Sequence, residues 1–149
     1  MKAFVGSKIA WVLMVMLAIG FSVLGAAAQD RMSDKDVETT MNNLRQDSKK
    51  FSSIFNTAVK KSTFRKTDKE KSARAMVQQF QSRTNGMLSE FKRTKKATNS
   101  LPLVLDSATK IEDFLKANPL GDQVTAAWTP VRGELDSLSK AFNMNAPAN

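Results

Sequence analysis

The apolar residues of this chain recur every three or four positions over four long stretches, and this spacing constrains its fold more than any other feature. Alternating steps of four and three place residues on one face of an α-helix. No run shows the alternation of apolar and polar residues that is typical of a strand long enough to build a sheet. The sequence therefore predicts an all-α protein.

The first helix is predicted over residues 34–61. Ser33 and Asp36 form an S-x-x-D capping pattern at its start, where they satisfy backbone N–H groups that lack helical partners. Only Ser48 is polar among the inward positions. These positions are Val37, Met41, Leu44, Ser48, Phe51, Phe55 and Ala58.

The second helix is predicted over residues 68–96, after a T-x-x-E capping box formed by Thr67 and Glu70. The dipeptide Asn85-Gly86 is more typical of turns. The apolar stripe keeps its phase across it, which favours one continuous helix. The stripe consists of Ala73, Val77, Phe80, Thr84, Met87 and Phe91, widened by Met76 and Leu88.

The third helix is predicted over residues 101–117 and ends before Asn118-Pro119, because a residue that precedes proline is disfavoured in the helical region. The fourth is predicted over residues 123–142, with Asp122 as its N-cap. Pro130 is expected to kink it, or to restart it with Thr129 as a cap. The two stripes are Leu101, Val104, Ala108, Ile111 and Leu115, then Val124, Trp128, Val131, Leu135, Leu138 and Phe142.

Four such stripes with short polar connections predict an antiparallel, up-down four-helix bundle. A three-helix arrangement stays open if Pro130 or Gly86 divides a segment. The first two helices would be roughly 42 Å long and the last two roughly 26 to 30 Å. The first hairpin is therefore expected to be longer, with the turn at residues 62–67 projecting as a tip. Residues 143–149 are expected to form a frayed tail.

The N-terminus has the order of an export signal. Lys2 and Lys8 supply positive charge, residues 9–24 form an apolar run, and Ala26 and Ala28 form an A-x-A site. We expect a signal peptide over residues 1–28, with cleavage after Ala28 and a single domain over residues 29–149. An uncleaved membrane anchor is the alternative, since the run is only slightly shorter than a spanning helix. Either way, the protein is expected in the periplasm, or secreted if the signal is cleaved.

The composition excludes several chemistries. The chain has no cysteine, histidine or tyrosine, so zinc sites, haem ligation through His or Cys, Ser-His-Asp triads and thiol redox chemistry are excluded. Ser137 and Lys140 match an S-x-x-K pattern, but the S-D-N and K-T-G elements that accompany it in serine acyl-enzymes are missing. We expect a protein that is not an enzyme and that has no cofactor or metal site.

Positive charge concentrates in the first half of the domain. Residues 29–100 carry 17 Lys and Arg against 8 Asp and Glu, and residues 101–149 carry 4 against 6. The densest region is residues 60–74, where Phe64 belongs to no stripe. The candidate contact residues for an anionic surface are Lys60, Lys61, Phe64, Arg65, Lys66, Lys69, Lys71 and Arg74.

These features predict a structural or interaction module whose partner is a protein or another envelope component. The alternative is a cell-envelope surface protein that uses the 60–74 tip on anionic lipid or polysaccharide. A solvated, lysine-rich turn that only keeps the protein soluble is the simplest explanation of the charge. Nucleic acid is not the expected partner, because aromatic residues are sparse near the basic runs and no nucleic-acid motif accompanies them.

Residues 29–38 (QDRMSDKDVE) and 119–123 (PLGDQ) give the chain a resemblance to a group of small, exported bacterial helical proteins. The resemblance covers most of the domain and implies export and a bundle fold. It brings no catalytic or ligand-binding residues. Pro130 departs from that group's pattern, in which the last helix has no helix breaker.

Overall fold

Four α-helices make up the part of the chain that the computed structural model describes, residues 32–144. They are α1 (Asp34–Lys61), α2 (Asp68–Thr94), α3 (Ser100–Ala117) and α4 (Asp122–Ala141). No strand occurs within these residues. The proposed signal peptide and residues 145–149 of the expected tail lie outside the described range. None of the described helices is both long and apolar enough to cross a membrane.

The caps of the first two helices agree with the sequence patterns. The Ser33 hydroxyl accepts a hydrogen bond from the Asp36 backbone N–H at 3.2 Å, and the Thr67 hydroxyl accepts one from Glu70 at 3.4 Å. The Glu70 carboxylate in turn accepts the N–H of Lys66. These reciprocal bonds satisfy donors that the first helical turn leaves free.

The caps of the later helices differ from the expectation. Asp122 is the first residue of α4, and its N-cap is Gly121, whose φ of 95° suits glycine. Lys95 adopts a left-handed conformation with φ 55°, which ends α2 at Thr94, two residues before the predicted end. Such a conformation is a common way for a helix to terminate.

Neither helix breaker divides its segment, so the three-helix alternative is wrong. α2 continues through Gly86, and α4 continues through Pro130. Proline removes the hydrogen bond to the carbonyl four residues earlier, which here belongs to Ala126. Both Ala126 and Pro130 are exposed, so water can satisfy that carbonyl.

The predicted stripes form the core, with one correction at the end of α1. There Val59 is fully buried, while the predicted Ala58 is only half-buried. Leu115 and Phe142 are also only half-buried at the ends of their helices. Thr84 is buried on α2 as predicted, and its hydroxyl donates to the Phe80 carbonyl.

The helices have unequal neighbours. α1 packs closely against α2 and α4, and α2 packs closely against α3. Large side chains fill the centre between them: the Trp128 ring on α4 lies 4.7 Å from Phe51 and 5.5 Å from Phe80 between ring centroids. Aromatic burial of this kind contributes both area and ring-to-ring attraction.

The turn at residues 62–67 does not stand clear of the helices as expected. Phe64 packs edge-on against Phe114 near the end of α3, with ring centroids 5.9 Å apart. Phe64 is half-buried and joins the edge of the core. α1 and α2 are still the longer pair, at 28 and 27 residues against 18 and 20.

Candidate functional site

The sequence-predicted basic segment, residues 60–74, comprises the end of α1, a six-residue connection and the start of α2. We call it the basic turn. Lys60 and Lys61 occupy the last turn of α1, where the negative end of the helix dipole stabilises cations. Asp68 and Glu70 occupy the first turn of α2, where the dipole favours carboxylates. Local helix electrostatics therefore position both signs of charge.

Both carboxylates of the basic turn are already paired. Asp68 lies 3.1 Å from Lys71, and Glu70 lies 2.6 Å from Arg74. The Lys66 backbone N–H, helped by the Arg74 guanidinium, lowers the pKa of Glu70 from its ordinary value. Glu70 therefore stays ionised and committed to its local partners.

Four cations of the basic turn are exposed and form neither an ion pair nor a cation–π contact with any described residue. They are Lys60, Lys61, Arg65 and Lys66. Because the neighbouring carboxylates are occupied, this positive charge is left to solvent. The surface can therefore attract an anion without first breaking a salt bridge.

Phe64 contacts both the Lys69 ammonium group and the edge of the core. The Lys69 Nζ lies 5.2 Å from the centroid of the Phe64 ring, within the range of a cation–π contact. The Phe64 ring also packs against the ring of Phe114. Phe64 thus anchors the basic turn to α3, a role that its isolation in the sequence did not predict.

A groove of about 390 Å³ lies beside the basic turn and was missed by sequence reasoning. It runs between the last turns of α1 and the connection that leads into α4. Its lining residues are Ser53, Ile54, Thr57, Ala58, Lys61, Ser62, Pro119, Leu120, Gln123 and Val124. The only sequence signal for it was Leu120, an apolar residue in a connection that belongs to no stripe.

A second basic run, at the end of α2, has a different environment. Lys92 and Lys95 lie 3.6 Å and 3.4 Å from the two carboxylate oxygens of Glu38 on α1. Lys95 also lies 5.3 Å from the centroid of the Phe91 ring. Part of the charge at this end is therefore neutralised within the protein.

Other candidate chemistries find no assembled site in residues 32–144. Within that range no three acidic residues cluster closely enough to hold a metal ion. The Ser137 hydroxyl of the S-x-x-K pattern donates to the Gly133 carbonyl at 2.8 Å. This back-bonding is ordinary for a serine within a helix.

Two carboxyl groups at helix contacts, one buried and one half-buried, were not predicted from the sequence. Glu112 on α3 accepts a hydrogen bond from the Trp128 indole at 3.2 Å and forms an ion pair with Arg132 at 3.1 Å. Glu134 on α4 lies near Asp47 of α1, and burial, followed by the Asp47 charge, raises its pKa to about 8. Both contacts join different helices, so no local pattern announces them.

Comparison of the chain with family models, with curated proteins and with solved structures finds no match. We therefore infer a function from the exposed surface of the basic turn.

Proposed function

We propose that this protein is an exported, non-enzymatic helical-bundle module that binds an anionic surface of the cell envelope through its basic turn. One observation carries the proposal: four exposed cations of that turn form neither an ion pair nor a cation–π contact with any described residue. The second basic run, in which Lys92 and Lys95 share the carboxylate of Glu38, serves as an internal comparison.

The export part of the proposal is supported by the order of features in residues 1–28, and it puts the protein in the periplasm or outside the cell. Expression of the full chain in a bacterium tests it. Mass spectrometry of the product is expected to give a chain that begins at Gln29. A product retaining residues 1–28 in the membrane fraction would identify an uncleaved anchor instead.

We also propose that the helices are arranged in an antiparallel, up-down order. It is supported by contacts between the start of α1 and the end of α2, where Glu38 meets Lys95, and between their middles, where Gln81 donates to the Ser48 carbonyl. In this order the basic turn occupies one end of the first hairpin, which leaves its cations accessible to a flat surface.

The expected strength follows from the number of free cations. Each Lys or Arg near an anionic surface contributes about 1 kcal/mol, so four contribute about 4 kcal/mol, or roughly a thousandfold in affinity. The attraction acts within a Debye length, about 8 Å at physiological ionic strength and about 3 Å at 1 M salt. Binding should therefore fall steeply as salt is added.

Sedimentation with vesicles tests the proposal. The wild-type protein is expected to pellet with vesicles that contain phosphatidylglycerol, to release at high salt, and to ignore vesicles of phosphatidylcholine alone. Replacing Lys60, Lys61, Arg65 and Lys66 with Gln should abolish pelleting. The matched control replaces Lys92, Arg93, Lys95 and Lys96 with Gln, which removes the same charge from the other basic run and should weaken pelleting by less than tenfold.

Two results would overturn this proposal. One is pelleting that is insensitive to salt, and the other is an equal loss for the two four-residue variants, which would indicate attraction by net charge alone. A soluble anionic polysaccharide supplies a further arm. Salt-sensitive binding to the polysaccharide, with the same dependence on the basic turn but no vesicle binding, would identify the surface as polysaccharide.

A further inference from the structure

The groove beside the basic turn has an aliphatic floor. Ile54 and Ala58 on α1 and Leu120 in the connection are half-buried, and Val124 on α4 is buried. Residues 54–61 extend about 10 Å along α1 at the rise of an α-helix. The groove, from the aliphatic floor at Ile54 to Lys61, is therefore long enough for an acyl chain of medium length together with its head group.

Two hydroxyl groups at the rim already have acceptors within the protein. The Thr57 hydroxyl donates to the Ser53 carbonyl at 2.9 Å, and the Ser62 hydroxyl donates to Val59 at 2.8 Å. Covering these hydroxyls leaves no donor without an acceptor, and an unpaired buried donor is the usual penalty for placing an apolar ligand over polar groups. The volume, about 390 Å³, lies within the range of small-molecule sites.

The charge in the groove has one sign. Lys61 is its only charged lining residue, and it forms no ion pair with any described residue. The second groove of the structure, at the start of α1, is lined by charges of both signs, including Asp34, Glu38 and Lys95. Of these two grooves in the described part of the chain, the first combines an aliphatic floor with an unneutralised cation.

We propose that this groove binds the acyl chain of a single-chain anionic amphiphile, with the chain on the aliphatic floor and the anionic head at Lys61. The inference rests on the proposed function for the source of its ligand, because a module held at an anionic lipid surface meets such amphiphiles there. It adds a ligand and a bound geometry that surface attraction alone does not require.

Titration with decanoate, followed by amide chemical shifts and by calorimetry, tests this proposal. Decanoate is expected to shift the amides of Ile54, Ala58, Leu120 and Val124 and to leave those around Glu38 unchanged. Decanol supplies the same chain without the charge, and we expect it to bind about fivefold more weakly.

Two adjacent lysines provide a matched pair of variants. Lys61 lines the groove and Lys60 does not, although both are exposed in the last turn of α1. Lys61→Gln should weaken decanoate binding about fivefold, while Lys60→Gln should change it less than twofold. Ala58→Phe should fill the floor and reduce binding more than tenfold. All variants have the same residues before α1. Any binding of the amphiphile to those residues therefore contributes equally to every measurement and does not affect the comparison between variants.

Several outcomes would overturn the inference: no groove shifts, equal effects of the two lysine variants, or unchanged binding when a folded Ala58→Phe fills the floor. If Ala58→Phe does not fold, the shift map and the lysine pair decide the question alone. A dimer in sedimentation that Ala58→Phe makes monomeric would identify a second copy as the occupant instead. Vesicle sedimentation of the same variants separates the two proposals, since surface attraction predicts equal losses for Lys60→Gln and Lys61→Gln.

Discussion

α4 has a carboxyl group at each of two helix interfaces, Glu112 of α3 on one side and its own Glu134 near α1 on the other, and the two groups are accommodated in opposite ways. On the α3 side, Glu112 is 6% exposed, accepts a hydrogen bond from Trp128 and forms an ion pair with Arg132. On the α1 side, Glu134 has a buried Oε2 with no hydrogen-bond donor and lies near the Asp47 carboxylate. Glu112 is stabilised by donors, whereas Glu134 is stabilised by keeping its own proton.

The difference matches how the helices pack. α1 and α4 are in close contact along their backbones, while α3 and α4 are not among the closely packed pairs. The Glu112 cluster spans the wider gap with charged and polar side chains. We infer that α4 is held to α1 mainly by apolar burial, and to α3 in large part by one buried polar cluster.

The largest effect that tests this contrast is expected from Glu112→Leu. Removing the carboxylate leaves the Trp128 indole and the Arg132 guanidinium without their acceptor, and breaking a buried pair in this way costs about 3 kcal/mol. Urea unfolding measures the loss. The control is Asp113→Asn, an exposed neighbour on α3, which should change the free energy of unfolding by less than about 0.5 kcal/mol.

A smaller effect is expected from Trp128→Phe. Phenylalanine keeps an aromatic ring between Phe51 and Phe80 but cannot donate to Glu112, and we expect a loss of about 2 kcal/mol in urea unfolding. In the Glu112→Leu background the same substitution should cost clearly less, because the hydrogen bond is already absent. Full additivity of the two changes would show that the indole bond contributes nothing.

The smallest effect concerns Glu134 and appears as a dependence on pH. Its pKa is raised from 4.5 to about 8 in the folded state, so the folded protein holds this proton more tightly than the unfolded chain. The resulting stability is fully present below about pH 4.5 and is lost as pH rises towards 8. After allowing for solvent screening of this half-exposed group, the loss is on the order of 1 kcal/mol.

Comparison with Glu134→Gln isolates the contribution of Glu134 ionisation to the free energy of unfolding. The wild type should lose stability relative to the variant between pH 5 and pH 9, because only the wild type then places a second negative charge beside Asp47. Asp47→Asn should reduce the loss, since the Asp47 charge is one cause of the raised pKa. Parallel stability curves for wild type and Glu134→Gln would show that Glu134 ionises normally in the fold.

The sequence predicted the features of the fold that depend on near neighbours along the chain. The caps at Ser33 and Thr67 involve residues three positions apart, and both are confirmed. The predicted stripe of α1 agrees with the buried residues as far as Phe55 but includes Ala58 in place of Val59. A strict repeat of seven residues drifts about 20° per repeat from a straight helix, and over three repeats this drift favours a step of four over a step of three.

The candidate site was predictable only in part, for the same physical reason. Basic runs can be read from the sequence, but whether a carboxylate neutralises them depends on which helices are neighbours. Glu38 is 57 positions from Lys95 and lies beside it, while no carboxylate among residues 32–144 forms an ion pair with Lys61. The groove likewise needs Leu120 and Ile54 to meet across the fold, which no local periodicity describes.

The pairing of α1 with α4 also sets the order in which the core can be completed. Ribosomes release α1 first and α4 last, so the face of α1 that carries Phe51 waits for Trp128, the ring that lies 4.7 Å from it. The closing contact is non-local, and such contacts form late because a long loop must be closed first. Until Asp122 and the residues after it are present, the face of α1 that carries Phe51 lacks the α4 ring that covers it, and exposed apolar surface of this kind promotes aggregation.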